Sequence, residues 1–89
     1  MLLAELIYLD NSSTTKPCER AVLYINKALN SIWGNPSSLH RLGMEAEIAL
    51  SDAREAAARS VGARADEILF TGSGTEANNT ALLSCLKAA

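Results

Sequence analysis

The stretch Ile68-Leu69-Phe70-Thr71-Gly72-Ser73-Gly74-Thr75-Glu76-Ala77-Asn78-Asn79 carries the residues best placed to do chemistry. A short apolar run, β-prone at Ile68 and Phe70, meets a turn with two glycines, and a helix-compatible run from Ala77 to Lys87 follows. Strand, glycine turn and helix start, in that order, build an anion site from backbone. The first N–H groups of a helix have no intrahelical partner and point out of its end. The aligned peptide dipoles add partial positive charge there, and glycine lets the backbone come close to a phosphate. Thr75 contributes a hydroxyl donor. The pattern is not a P-loop, because no Lys follows the second glycine, and it is not G-x-G-x-x-G, because position 77 is Ala. On local pattern alone a second reading stays open: the glycines end a strand, Thr75 is the N-cap, and Glu76 complements the dipole.

The elements that must hold this turn come from a short chain. Its 89 residues allow at most one small domain, in which buried surface barely offsets chain entropy. A net charge of -2 with interspersed signs gives no basic stripe, so nucleic acid is not an expected partner. No window has the length and apolarity of a transmembrane helix. The apolar opening Met1-Leu2-Leu3-Ala4 breaks at Glu5 with no basic residues before it, so no signal peptide is expected. Cys18 and Cys85 lack C-x-x-C or Cys/His metal spacing and read as reduced thiols of a cytoplasmic protein. Cys85 falls on the apolar side of the last helix.

Leu6 to Leu9 reads as a short strand or extended arm, followed by the polar cluster Asp10-Asn11-Ser12-Ser13-Thr14-Thr15. Pro17 suits the first turn of a helix capped by Thr15 or Lys16, with Glu19 also in that turn. Val22, Ile25, Ala28, Leu29 and Ile32 recur at helical spacing, and Gly34-Asn35-Pro36 ends the run. Ser37 or Ser38 is the expected cap of a long helix running to about Val61, with an apolar stripe from Leu39 and Leu42 through Ala46, Ala49, Leu50, Ala53, Ala57 and Val61. Glu55 and Arg59 form an i,i+4 pair of the favoured orientation, and Gly62 is the expected helix-ending residue. Asp66 and Glu67 precede the strand at Ile68. A lone core strand has no ladder partner for its N–H and C=O groups. The chain therefore reads as the N-terminal piece of a larger α/β protein.

Three motifs together resemble the cysteine desulfurases, within the class V aminotransferase group of pyridoxal-phosphate enzymes (fold type I). They are Tyr8-Leu9-Asp10-Asn11-Ser12-Ser13-Thr14-Thr15-Lys16-Pro17, Gly34-Asn35-Pro36-Ser37-Ser38-Leu39-His40, and Gly72-Ser73-Gly74-Thr75-Glu76-Ala77-Asn78-Asn79. Their order and spacing carry the resemblance, which runs from about Ile7 to the end. It implies an α/β fold: an N-terminal helical arm, then the first strand, turn and helix of a mostly parallel-sheet large domain. The division falls at 1–37 for arm and first helix and 38–89 for the start of the large domain. The isolated segment is expected to be mainly helical.

The resemblance also implies pyridoxal 5'-phosphate as cofactor, its phosphate held by Ser73, Gly74 and Thr75. L-cysteine is then the substrate, giving L-alanine and an enzyme persulfide for a sulfur-acceptor protein, in a homodimer. Asn11, Asn35 and His40 are placed as residues lining the substrate site. For Asp10 and Asn11 the alternative is an Asx-type turn closing the polar cluster, and for His40 a histidine hydrogen-bonded near a helix start. Asn78 either supports the phosphate loop or faces solvent, and Trp33 packs beside the turn. Ser12-Ser13 stands where the family often has two alanines. The family's cofactor-bonding lysine and sulfur-accepting cysteine lie further along a full chain. Lys16, Lys27, Lys87, Cys18 and Cys85 match neither, so the 89 residues by themselves are expected to be inactive.

Two other readings remain. A selenocysteine lyase or a true aminotransferase would share the same opening, and a non-catalytic helical binding or oligomerisation module would present the stripe of the Ser38–Val61 helix to a partner. The exposed apolar faces lead to a further expectation, that the chain alone either self-associates or is partly disordered.

Overall fold

The computed structural model describes residues 4–89; the apolar opening at Met1 to Leu3, part of the reading against a signal peptide, lies outside them. Among the described residues, three helices and one 3-10 turn make up the regular structure: α1 (Glu19–Ser31), α2 (Arg41–Val61), the 3-10 turn Ala65–Glu67, and α3 (Gly74–Ala88). The chain divides into two units, one ending at Trp33 and the other spanning Gly34–Ala89.

In the first unit Leu6 to Leu9 forms no strand. The polar cluster instead closes on Asp10. The N–H groups of Ser13 and Thr14 donate to the Asp10 carbonyl at 3.1 and 3.4 Å, and the Ser13 hydroxyl reaches the Asp10 carboxylate at 2.7 Å. Tyr8 pins the far side, its hydroxyl donating to the Thr14 carbonyl at 2.7 Å. The turn is therefore closed by the Asp10 main-chain carbonyl, and the Asp10 carboxylate takes a hydroxyl rather than the backbone N–H that an Asx turn would use.

Helix α1 starts later than Pro17 suggested. Cys18 is its N-cap, extended at φ -69° and ψ 158°, with no side-chain capping bond. Pro17 and the proposed caps Thr15 and Lys16 thus precede the helix, because the first helical bond runs from the Val22 N–H to the Cys18 carbonyl. Glu19 does occupy the first turn. The helix ends at Ser31, before Gly34, and the Ile32 N–H closes it on the Ala28 carbonyl. Its apolar face is real but unpartnered: Val22, Ile25 and Leu29 are 43%, 51% and 70% exposed. Trp33, expected to pack, is also exposed.

The second unit begins with a tight turn. The Ser38 N–H donates to the Asn35 carbonyl at 2.9 Å, the Ser37 N–H to the Asn35 side-chain oxygen at 2.9 Å, and Pro36 sits between, as β-turns favour. Helix α2 begins only at Arg41, so its N-cap position is residue 40 and neither serine caps it. His40 does, its Nδ1 accepting the Gly43 N–H at 3.3 Å. Leu39 lies outside the helix and is 95% exposed. Gly43 is buried because the turn rests on it: a Cβ there would stand 2.1 Å from the Ser38 carbonyl oxygen and 2.7 Å from that of Asn35.

Gly62 ends α2 as its sequence position implies. It is left-handed at φ 70°, and the N–H groups of Gly62 and Ala63 return to the carbonyls of Arg59 and Ala58 at 3.4 and 2.9 Å. These are the two bonds of a Schellman ending. The returning chain covers Ala58, which at 3% exposure is, with Ala46 at 6%, the only buried apolar residue among those described apart from glycine. Ala53 and Val61, assigned to the buried stripe, are exposed. Glu55 and Arg59 do not close to ion-pair distance; the i,i+4 pair that forms on α2 is Arg41–Glu45, at 3.7 Å. After the 3-10 turn the backbone is extended at Ile68, with φ -101° and ψ 123°, but no strand exists among the described residues. The expected strand Ile68–Phe70 lacks a neighbouring strand to pair with, and extended backbone alone makes no ladder. Phe70 instead lies under Arg54, whose guanidinium carbon is 5.3 Å from the ring centre, within cation–π range.

Candidate functional site

The turn from Thr71 to Glu76 is held almost wholly by its own residues. Ser73, not Thr75, is the N-cap of α3: it is extended at φ -164° and ψ 164°, and its Oγ accepts the Glu76 N–H at 3.1 Å. The Glu76 carboxylate reaches back to the Gly72 N–H at 2.8 Å, and the Thr71 hydroxyl donates to the Ser73 carbonyl at 2.9 Å. The Ala77 N–H then makes the first helical bond, to that same carbonyl, at 3.1 Å.

What this leaves over matters for binding. The N–H groups of Ser73, Gly74 and Thr75, and the Thr75 hydroxyl, have no partner among the described residues. They are consecutive, at the positive end of a helix dipole. The Ser73 Oγ accepts one bond and keeps its own proton to donate. Gly74 shows why a small residue suits this place. Its backbone is not left-handed, and beyond its chain neighbours and its own helix backbone an added Cβ would meet no atom of the described residues within 4 Å. Neither chain geometry nor packing requires glycine there, and the space in front of it is open to a ligand. Gly72 is constrained from within, since a Cβ would come 3.2 Å from the Glu76 carboxylate. This exposed set of donors fits a phosphate monoester.

The remaining candidates are more dispersed. Asn35 uses its side-chain oxygen inside its own turn, and His40 uses Nδ1 to cap α2. No hydrogen bond joins either to the Ser73–Thr75 turn, and α2 and α3 are not in contact. Asn11 belongs to the first unit, where its carbonyl accepts the Thr15 hydroxyl at 3.3 Å and it lines a shallow hollow with Tyr8, Thr14 and Lys16. Both cysteines are free and exposed, so Cys85 is not packed as a small apolar residue in this chain. No group of three or more potential metal ligands occurs among the described residues, and no helix among them is long and apolar enough to cross a membrane. Sequence reasoning missed the bond from Glu76 to Gly72. The capping-box pattern Ser73-Gly74-Thr75-Glu76 signals that Glu76 reaches back over the helix start, but to the Ser73 N–H and not to the Gly72 N–H that it takes.

Residues 7–89 match the family described as Aminotransferase class-V, and this chain belongs to that family. Among curated proteins it is similar to a NifS/IcsS protein homolog of Lactobacillus delbrueckii subsp. bulgaricus, 48% identical over 77 residues, which is 86% of this chain and 20% of the relative. It is likewise similar to the cysteine desulfurase NifS of Azotobacter vinelandii, 45% identical over 83 residues, 92% of this chain and 21% of the relative. The selenocysteine lyase of Xenopus tropicalis is 42% identical over 81 residues, 91% of this chain and 19% of the relative. The chain thus spans about a fifth of the length of the curated relatives it matches. No solved structure gives a significant match.

Proposed function

We propose that this chain is the phosphate-binding N-terminal part of a pyridoxal-phosphate-dependent cysteine desulfurase, beginning the large α/β domain of that enzyme. The observation that carries the reading is the row of unpartnered donors at Ser73, Gly74 and Thr75 in a class-V aminotransferase chain whose relatives include cysteine desulfurases. The cofactor, when bound, supplies an electron sink for the bonds at the substrate's α-carbon. The residues of this chain anchor it. The backbone N–H groups of Ser73, Gly74 and Thr75 and the hydroxyls of Thr75 and Ser73 would hold the phosphate, and the α3 dipole would offset its charge. Asn11, Asn35 and His40 line the substrate side. The whole enzyme acts on L-cysteine, yields L-alanine and passes sulfur as a persulfide to an acceptor protein for iron–sulfur cluster assembly or other sulfur delivery. It works as a homodimer in the cytoplasm.

A second reading, selenocysteine lyase, is favoured by the 42% identity to the Xenopus protein of that name. One experiment separates the two. The full-length protein, loaded with cofactor, is given L-cysteine or L-selenocysteine, and alanine is quantified. Efficient turnover of L-cysteine supports the desulfurase; turnover confined to L-selenocysteine supports the lyase; alanine from neither removes both.

A further inference from the structure

We propose that Glu76 is a positioning residue for the cofactor phosphate: by holding the Gly72 N–H it fixes the turn and leaves three consecutive backbone donors to the ligand. The inference rests on the phosphate-site reading above and adds a residue that would not itself touch the cofactor. In an ordinary capping box the glutamate at the third helical position accepts the N-cap residue's own N–H. That residue is Ser73 here, but the carboxylate accepts from Gly72, one residue earlier, at 2.8 Å. The Ser73 N–H is thereby left free beside those of Gly74 and Thr75. A Cβ at position 72 would come 3.2 Å from the same carboxylate, which would have to give by a few tenths of an ångström. The second half of the device is in place, with Ser73 Oγ taking the Glu76 N–H at 3.1 Å. The turn's own two acceptors thus go to the N–H groups of Gly72 and Glu76, which flank the three free donors.

This assignment has a signature that a contact residue would not show. Glu76 offers an acceptor, which the turn needs, and a negative charge, which a phosphate disfavours. Glu76→Gln keeps the acceptor and removes the charge, whereas Glu76→Ala removes both. Apo full-length protein is titrated with pyridoxal 5'-phosphate and, separately, with pyridoxal, and amide exchange at Gly72 is followed without ligand. Glu76→Ala should weaken pyridoxal 5'-phosphate binding about tenfold, leave pyridoxal binding unchanged, and speed exchange at Gly72. Glu76→Gln should bind the phosphate ester within about threefold of wild type, or more tightly. Any of four results overturns the proposal: Glu76→Ala binding as wild type, unchanged Gly72 exchange in that variant, equal losses for both ligands, or Glu76→Gln as weak as Glu76→Ala. Should Glu76→Ala not fold, a tenfold loss in Glu76→Gln alone is equally decisive against it. Thr75→Ala separates the two levels. If it loses affinity while Glu76→Ala does not, only the positioning role fails; if neither loses affinity, the phosphate does not sit at this turn and both readings fall.

Discussion

A Cβ at Gly43 would stand 2.1 Å from the carbonyl oxygen of Ser38. The turn that carries Asn35 is pressed against α2 at a point where only a hydrogen atom fits. Gly43→Ala is therefore expected to force the turn off the helix, although alanine ordinarily favours helix over glycine. Overpacking of this kind costs about 1–3 kcal/mol. The melting temperature of the full-length variant should fall; an unchanged or raised value would show that the turn does not rest on α2 in solution.

His40→Ala should remove the side-chain cap of α2 at a cost of about 1 kcal/mol, whereas His40→Asn or His40→Ser should cost little, both being strong N-cap residues. Denaturant melts of the three variants test the order. Rescue of stability without rescue of turnover would assign the imidazole a second role at the substrate side. Rescue of both would confine it to the helix start.

On the proposed phosphate site, Thr75→Ala would remove a hydroxyl donor to a charged group, an interaction of about 1.5–3 kcal/mol. Cofactor affinity of the full-length protein should drop by about one to two decades, read by equilibrium dialysis. Wild-type retention of the cofactor would take Thr75 out of the site.

The purified 89-residue chain is expected to release no sulfide from L-cysteine beyond the rate given by free cofactor, and to develop no absorbance band of covalently bound cofactor. Methylene-blue detection of sulfide checks the first and a spectral titration the second. Activity above that background would mean that Lys16, Lys27 or Lys87 serves where no match to the family's lysine was found.

The same chain should not behave as a compact monomer. Leu82, Leu83 and Leu86 of α3 are 65%, 59% and 72% exposed, and α1 has no buried residue. Apolar surface of this extent drives association. Sedimentation velocity should show concentration-dependent species and the thermal melt a broad transition, whereas a sharp melt from a well-behaved monomer would contradict it.

Much of this was legible in the sequence where a single residue type decides the backbone. Gly62 marked the end of α2 because only glycine takes the left-handed position cheaply, and the helical spacing in α1 and α2 located both helices. Helix starts were less legible. Ser37 and Ser38 look like caps, but α2 begins only at Arg41, and the cap falls to a histidine, a residue outside the usual set. The strand at Ile68–Phe70 failed for a different reason: its β-prone residues describe what the segment would do beside a neighbour, and pairing is not a local property. At the Gly72–Gly74 turn the glycines and the helix that follows were legible, but the cap was not: Ser73, rather than Thr75, closes the helix start. Glu76 was read only as a charge near a dipole, because which N–H a carboxylate takes depends on the conformation of the residue behind it.

The side-chain hydrogen bonds of this chain have one property in common, their reach. None among the described residues spans more than six residues. Contacts so close in sequence need almost no loop closure, and helices built on them form on the microsecond scale. The Schellman ending at Gly62, the His40 cap and the Glu76 tie are all complete within one turn of chain. The segment can therefore acquire its helices before any distant residue arrives, and its apolar faces must wait in water for their partners. Those faces are where a nascent chain of this kind would be most open to misassociation.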